Sequence, residues 1–507
     1  MNLYQVLSKK FFQAGDRVAL RMPETGLQLT YKQLAERAAQ YASLLTEEGL
    51  IPGDRVAVQV EKGAEALAIY LGVLQSGGTY LPMNTAYTKT ELKYFVENAE
   101  PAFVVCSSKQ TEAFSEINQQ VERTFKLFTL DGDSVGTICD AANAMAKEFA
   151  TVARAENDLA AILYTSGTTG RPKGAMISHA NLLNNGQVLL EYWGWKEGDV
   201  LLHALPIFHV HGLFVACSCA LLNASEMIFY SKFDARKVLE ELPNATVMMG
   251  VPTFYTRLLA EDGFTKELAD NVRLFISGSA PLLEETFNEF EKRTGKLILE
   301  RYGMTETGMN TSNPLNGQRI AGTVGYPLPG TEVRIMSSDN IPLAEDEVGS
   351  LQVKGPNVFQ GYWRMPEKTA EEFTADGFFI TGDLGKVDSK GYVSIVGRSK
   401  DLIISGGYNI YPKEVEMVLN DIQSIEESAV FAFVHPDFGE GVAAAIVKSD
   451  PTENISDEAL VSICKDQLAS FKVPRRIVYL DALPRNTMGK VQKNVLRDLY
   501  GQSDYQK

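Results

Sequence analysis

Residues 164–174 read Tyr164-Thr165-Ser166-Gly167-Thr168-Thr169-Gly170-Arg171-Pro172-Lys173-Gly174. Glycines let backbone N–H groups come close to an anion, the hydroxyls add donors, and Lys173 supplies a point charge. An apolar run at 159–163 precedes the loop and reads as a buried strand. Such a loop is suited to gripping phosphate. It is not the Walker arrangement. Counting from Gly167, the second required glycine is replaced by Pro172, and Lys173 is followed by Gly174 where Ser or Thr is needed. A GTPase or P-loop ATPase is therefore disfavoured.

Four further motifs follow in order: Arg301-Tyr302-Gly303-Met304-Thr305-Glu306, Thr381-Gly382-Asp383, Gly397-Arg398-Ser399-Lys400-Asp401 and Pro484-Arg485-Asn486-Thr487-Met488-Gly489-Lys490. With the loop they resemble the signature set of the adenylate-forming superfamily of acyl-CoA synthetases, peptide-synthetase adenylation domains and luciferases. The likeness spans nearly the whole chain. It implies ATP-driven activation of a carboxylic acid, because a carboxylate is a poor electrophile until it is joined to the α-phosphate. Charge then builds on the phosphates, so cations and donors must be placed in advance.

The same resemblance implies roles for individual residues. Thr165, Ser166, Gly167, Thr168, Thr169, Gly170 and Lys173 hold the β- and γ-phosphates. Thr305 meets the α-phosphate, and Glu306 is the Mg²⁺ ligand, unless Thr305-Glu306 merely begins a helix. Ser277, Gly278, Ser279 and Ala280 pack backbone against adenine; Tyr302, followed by Gly303, covers the other face of the ring. Asp383 takes the ribose hydroxyls, which an acceptor-only carboxylate can do, and Arg398 adds a ribose or phosphate contact. Lys490 is the mobile lysine of adenylation. Lys400 and Asp401 form the hinge. Gly406, Gly407 and Tyr408 enter the site for the coenzyme A step. Lys472, with Arg475 and Arg476, either meets nucleotide phosphates of coenzyme A or is a solvated face.

Which acid is activated turns on Arg301. Many acyl-CoA synthetases carry a small residue, commonly glycine, before the motif tyrosine. A guanidinium facing an acyl pocket is costly unless an anion pairs with it, and arginine suits bidentate carboxylate recognition. A short dicarboxylate fits, one end reacting and the other resting on Arg301. The alternative is an arginine turned outward to an acid such as Glu300, which leaves another short-chain or aromatic acid as substrate. Arg257 is a second candidate anion partner and Arg273 a weaker one. In Pro206-Ile207-Phe208-His209-Val210-His211-Gly212, His209 is the gate candidate and His211 is read as packing. No acid occurs between Leu205 and Leu222, against an amino-acid substrate. Residues 162–176, 208–214, 250–259, 273–282, 300–313 and 354–384 are similar to the malonate-activating branch of the superfamily. That likeness implies malonate, with methylmalonate as a secondary substrate.

The elements that must position these residues alternate along the chain. Strand-like runs at 55–60, 102–106, 200–205, 226–229, 245–249 and 274–277 are separated by helical patterns such as 64–75, which implies parallel sheets with crossovers. From about residue 312 short alternating stretches, 332–336 and 351–354, suggest a small antiparallel barrel. Residues 414–479 suggest a compact α+β unit. The expected class is α/β: two parallel-sheet subdomains and a small β-barrel in residues 1–397, then a mobile α+β domain in 398–507.

A chain of 507 residues exceeds one hydrophobic core. The net charge of −16 disfavours nucleic acid as a partner. No apolar run is long enough for a membrane span. The five scattered cysteines read as buried hydrophobes in a reducing compartment. Cytoplasm is the expectation, with a processed organellar form as the alternative.

Overall fold

The structure is a computed structural model. It describes residues 1–132, 134–165, 172–405, 408–435, 438–450, 452, 455–486 and 489–502. The chain groups into two compact units, Met1–Glu332 with Val353–Phe379, and Val333–Gln352 with Ile380–Lys507.

Two sheets organise the first unit. One has six strands in the order Lys126–Thr129, Phe103–Cys106, Arg55–Gln59, Thr79–Pro82, Leu159–Thr165, Lys173–Ser178. All neighbours are parallel except the last pair, an antiparallel hairpin with Thr165 opposite Lys173. The other has nine strands: Tyr326–Pro327, Gly308–Ser312, Ile298–Met304, Leu274–Ser277, Val247–Gly250, Val200–His203, Glu226–Phe229, Val18–Met22, Leu27–Thr30. Its six central strands run parallel. Strands buried on both faces read as unbroken apolar runs; Val247-Met248-Met249 and Leu274-Phe275-Ile276 are fully buried.

The large apolar core joins these sheets to their covering helices. Helices Tyr31–Glu47 and Ala64–Gln75 pack closely at Gly72, where a Cβ would stand 2.7 Å from Tyr41 Cβ and 2.8 Å from the Ala38 carbonyl oxygen. Only glycine permits that approach.

In the second unit, strands Ile403–Ser405, Tyr408–Ile410, Ile425–His435, Gly439–Lys448 and Arg476–Tyr479 form one sheet. Alternation sorts its side chains to opposite faces. Val430 and Ala444 join Leu419 and Leu460 on one face, while Phe431 and Ala445 join Leu483 and Leu496 on the other.

Where a small barrel is expected, the chain has a four-stranded sheet ordered Glu332–Met336, Gly349–Lys354, Phe379–Val387, Val393–Arg398. The sequence places a boundary at 397/398, at a short polar run. In the structure the antiparallel register from Asp383↔Arg398 to Val387↔Val393 groups both strands with the C-terminal residues. Lys413 Nζ adds a hydrogen bond to the Ile395 carbonyl at 2.9 Å.

Gly72→Val is expected to lower the melting temperature, since overpacking costs about 1–3 kcal/mol. Calorimetry checks this against Gly263→Ala as a control, because no described atom lies within 4 Å of a Cβ built on Gly263 and its backbone is not left-handed.

Candidate active site

Arg301 lies on the strand Ile298–Met304, which pairs in parallel with its neighbour up to Ser277↔Glu300 and then antiparallel with Arg301 opposite Ser312. Its side chain therefore leaves the sheet at the carboxyl ends of the parallel strands, where open α/β sheets bind ligands. Arg301 is 2% exposed, and its Nε and Nη2 have no hydrogen-bond partner among the described residues. Burial lowers its pKa to about 10, opposed by Tyr255 and Glu300. It stays a cation at neutral pH. Glu300 turns to the other face, as strand alternation requires, and its Oε1 accepts from the Leu282 amide at 3.1 Å. No ion pair joins it to Arg301 among the described residues, so the outward-facing arginine is not what the structure has.

Gly278 makes room for this cation. A Cβ there would stand 2.7 Å from Arg301 Nε and nearer still to Cζ. Gly278 belongs to the Ser277-Gly278-Ser279-Ala280 run, which follows the strand Leu274–Ser277 and precedes the helix Glu284–Thr294. Ser279 holds a left-handed backbone, φ 72°, and its Oγ is 3.1 Å from His211 Nδ1. His211 is fully buried, and its Nε2 has no hydrogen-bond partner among the described residues. Burial and the nearby Arg301 charge keep this imidazole neutral. The sequence favoured His209 over His211. Both are present, but His209 is partly buried and accepts from the His211 amide at 3.3 Å, while His211 shares the Arg301 neighbourhood.

Two other arginines fall away from the pocket. Arg257 is exposed on the helix Pro252–Leu259, whose buried face is Phe254, Tyr255 and Leu258. That helix keeps its apolar side inward and Arg257 on its exposed side. Arg273 grips the buried Asp199, Nε to Oδ1 at 2.9 Å and Nη2 to Oδ2, as a structural pair.

Ser166, Gly167, Thr168, Thr169, Gly170 and Arg171, of the loop expected to grip phosphate, lie outside the described residues. Their two ends form the hairpin, Thr165 Oγ1 donating to the Lys173 carbonyl at 3.4 Å. Lys173 Nζ is 2.8 Å from Glu372 Oε1 and 4.0 Å from the Tyr362 ring centroid. The Tyr362 hydroxyl reaches Glu372 Oε2 at 2.6 Å and Glu306 Oε1 at 3.1 Å. Burial raises the Glu372 pKa, but hydrogen bonds from Lys173 and Tyr362 outweigh it and the net shift is downward. Thr305 and Glu306 sit in the turn between strands Ile298–Met304 and Gly308–Ser312, so they begin no helix. Glu306 is 6% exposed. Gly303 lies against the returning strand, where a Cβ would overlap the Gly308 carbonyl. Tyr302 is partly buried, its hydroxyl 4.0 Å from Met304 Sδ. Sequence reasoning missed Tyr362 and Glu372. The Lys173–Glu372 pair spans 199 residues and leaves no local pattern.

In the second unit Asp383 is buried, and its Oδ1 is 2.7 Å from Arg398 Nε across the strand pair. Arg398 Nη1 also reaches the Thr381 carbonyl at 3.3 Å. Lys490 shares this electrostatic neighbourhood. Crowding by protein lowers its pKa, Arg398 adds to that, and Asp383 and Asp401 oppose it. Lys400 and Asp401 lie in the turn Ser399–Asp401; burial lowers Lys400 to about 8, and Asp401 pairs with Arg497 at 2.7 Å. Gly406 and Gly407, like Thr487 and Met488, lie outside the described residues. Tyr408 is exposed and stacks on Phe471 with ring centroids 4.6 Å apart. Lys472 pairs with Glu414.

The sequence matches the AMP-binding enzyme family over residues 8–363 and the AMP-binding enzyme C-terminal domain over 414–490. The chain belongs to the AMP-binding enzyme family. Among relatives, a malonate–CoA ligase of Arabidopsis thaliana is 34% identical, covering 98% of this chain and 89% of its own. A long-chain-fatty-acid–CoA ligase of Bacillus subtilis is 32% identical over 97% of this chain and 94% of its own. The crystal structure of ATP-bound MatB from Rhodopseudomonas palustris is 50% identical, with a TM-score of 0.95 and 99% of each chain covered.

Gly278→Ala is expected to displace the Arg301 guanidinium by about 1 Å, the distance needed to restore carbon–carbon contact. A crystal structure of the variant checks this; Arg301 left in place would contradict the close packing.

Proposed function

We propose that this chain is an AMP-forming malonate–CoA ligase: malonate, ATP and coenzyme A yield malonyl-CoA, AMP and diphosphate through a malonyl-adenylate. Methylmalonate is the secondary substrate. The observation that carries this reading is the buried Arg301 cation with Nε and Nη2 unpartnered among the described residues. An isolated buried charge is costly, and a carboxylate is the ligand group that matches guanidinium geometry. The Arabidopsis malonate–CoA ligase supports the same substrate, and the ATP-bound MatB structure supports the use of ATP.

In this reading Arg301 holds the distal carboxylate of malonate, with His211 beside it and His209 at the edge. The proximal carboxylate oxygen attacks the α-phosphate, and diphosphate leaves. Thr165 through Lys173 take the β- and γ-phosphates, with Glu372 releasing Lys173 to them. Thr305 donates to the α-phosphate. The backbone of Ser277, Gly278, Ser279 and Ala280 faces adenine, with Tyr302 and Gly303 on its other side. Asp383 and Arg398 take the ribose. Lys490 stabilises negative charge on the α-phosphate and acyl oxygen. Lys400 and Asp401 are the hinge residues. Gly406, Gly407 and Tyr408 serve the thiol step, and Lys472 the nucleotide end of coenzyme A.

Mg²⁺ fits the residues present. Glu306 offers one buried carboxylate, oriented by Tyr362, and Mg²⁺ is usually held by one or two carboxylates with substrate phosphates. When bound, the ion neutralises charge on those phosphates. The five cysteines are free and buried, which supports a reducing compartment, and we assign the protein to the cytoplasm. Among the described residues no helix is long and apolar enough to cross a membrane.

Acid-dependent diphosphate release across malonate, methylmalonate, succinate, propionate and octanoate tests the assignment. Malonate is expected to give the highest kcat/KM; malonate no better than propionate would sink it. Arg301→Gly is expected to raise the malonate KM strongly and relax selectivity toward monocarboxylates, because losing one partner of a buried charge pair costs about 2–5 kcal/mol, roughly 30-fold or more. Lys490→Ala is expected to cut adenylation by about 100-fold or more, the scale of removing one transition-state donor. The same variant should still form the thioester from supplied malonyl-adenylate, which separate half-reaction assays measure.

A further inference from the structure

Lysine is almost never fully buried without a partner ion, yet Lys62 is 6% exposed and makes no ion pair among the described residues. It precedes Gly63, the cap of the helix Ala64–Gln75. Its Nζ is 2.8 Å from His203 Nδ1 and donates to the His203 carbonyl at 2.9 Å. The Phe229 ring centroid lies 4.1 Å away. Burial lowers the ammonium pKa to about 7, with Cys217 and Glu24 opposing.

His203 ends the strand Val200–His203, and its Nε2 is 2.9 Å from the Gly212 carbonyl and 3.3 Å from Cys217 Sγ. A carbonyl only accepts, so Nε2 carries the proton and Nδ1 is left to accept from Lys62. Gly212 is the second residue of a π-helical segment, His211–Cys217, a conformation found often at functional sites. A Cβ on Gly212 would overlap the Pro206 carbonyl, so the loop 204–210 folds directly onto this turn. The first residue of the turn is His211, which contacts Ser279 and feels the Arg301 charge. Contacts thus run from Lys62 through His203 to the turn that carries His211, on to Ser279 and the neighbourhood of Arg301.

We infer that Lys62 and His203 are positioning residues for recognition of the second carboxylate: they clamp the opening of the π-helical turn so that His211 and Arg301 face one anion. This rests on the dicarboxylate reading above. A purely space-filling role would be met by methionine or leucine without the desolvation penalty of an amine. The buried amine is explained by the hydrogen bonds it gives to His203.

Steady-state kinetics of Lys62→Met, His203→Leu, the double variant and His203→Gln test this, with wild-type diphosphate release on malonate as the control. Lys62→Met and His203→Leu should each raise the malonate KM roughly tenfold or more, with the ATP KM and kcat within about twofold, the signature of lost ground-state recognition. The double variant should be no worse than the worse single one, because coupled residues are not additive. His203→Gln, whose amide can still donate to the Gly212 carbonyl, should recover part of the loss. A malonate KM unchanged in folded Lys62→Met overturns the proposal, as does a parallel rise in the malonate, ATP and coenzyme A KM values. Failure of both Lys62→Met and His203→Gln to fold also overturns it, because the clamp then holds the fold and not the pocket. A wild type inactive on malonate but active on another acid instead removes the substrate assignment, which separates the two failures.

Discussion

A guanidinium held away from water is the constraint on which the acid end of the site depends. The effective penalty for burying an ion is several kcal/mol even after relaxation. Arg301 bears that penalty with Nε and Nη2 unpartnered among the described residues, and its surroundings are shaped to keep it there. Gly278 has no side chain because the guanidinium occupies that space. Glu300 is aimed at the opposite face and satisfies the Leu282 amide instead. The neighbouring imidazole, His211, is kept neutral by burial and by Arg301 itself. In the proposed reading a negatively charged guest completes this arrangement and a hydrocarbon tail leaves it uncompensated, so discrimination against fatty acids would come from repulsion as much as attraction.

The phosphate end works by the opposite logic. Lys173 is already partnered by Glu372, and the Tyr362 hydroxyl lies within reach of both Glu372 and Glu306. One hydroxyl proton serves one carboxylate at a time, so these four side chains form a network in which a change at one is felt at the others. In the proposed reading a polyphosphate arriving at Lys173 competes with Glu372. Glu306 is thereby linked to Lys173 through two side chains that the motifs do not contain.

Much of the architecture was legible because parallel strands are written as apolar runs. The strand expected at 274–277 spans Leu274–Ser277, and the helix expected at 64–75 spans Ala64–Gln75. Arg301 stands out in the sequence for a different reason, a charge just before the motif tyrosine, and the structure buries it. What could not be read depends on contacts between distant segments. Lys62 meets His203 across 141 residues, and Lys173 meets Glu372 across 199. That His211 lies in the Arg301 neighbourhood was not legible locally. The segment that begins at His211 is π-helical, so neither the period of an α-helix nor that of a strand says which ring points inward. Polarity marks a short connection near 398 but says nothing of strand pairing, and in the structure 380–398 group with the C-terminal residues.

The family scaffold by itself cannot choose the acid. A long-chain-fatty-acid–CoA ligase aligns over 97% of this chain at 32% identity, so sheets and phosphate motifs are compatible with very different acyl groups. Selection therefore falls to a few residues at the carboxyl edge of the nine-stranded sheet. Arg301 is carried there by a strand, paired on both sides, and not by a loop. A site built on such an element holds its geometry more tightly than one built on a flexible segment. A buried charge pair outweighs the roughly 1–3 kcal/mol that one methylene contributes to discrimination. In the proposed reading the charge on Arg301 separates dicarboxylates from monocarboxylates, while distinctions as fine as a single methyl group fall to the packing around it.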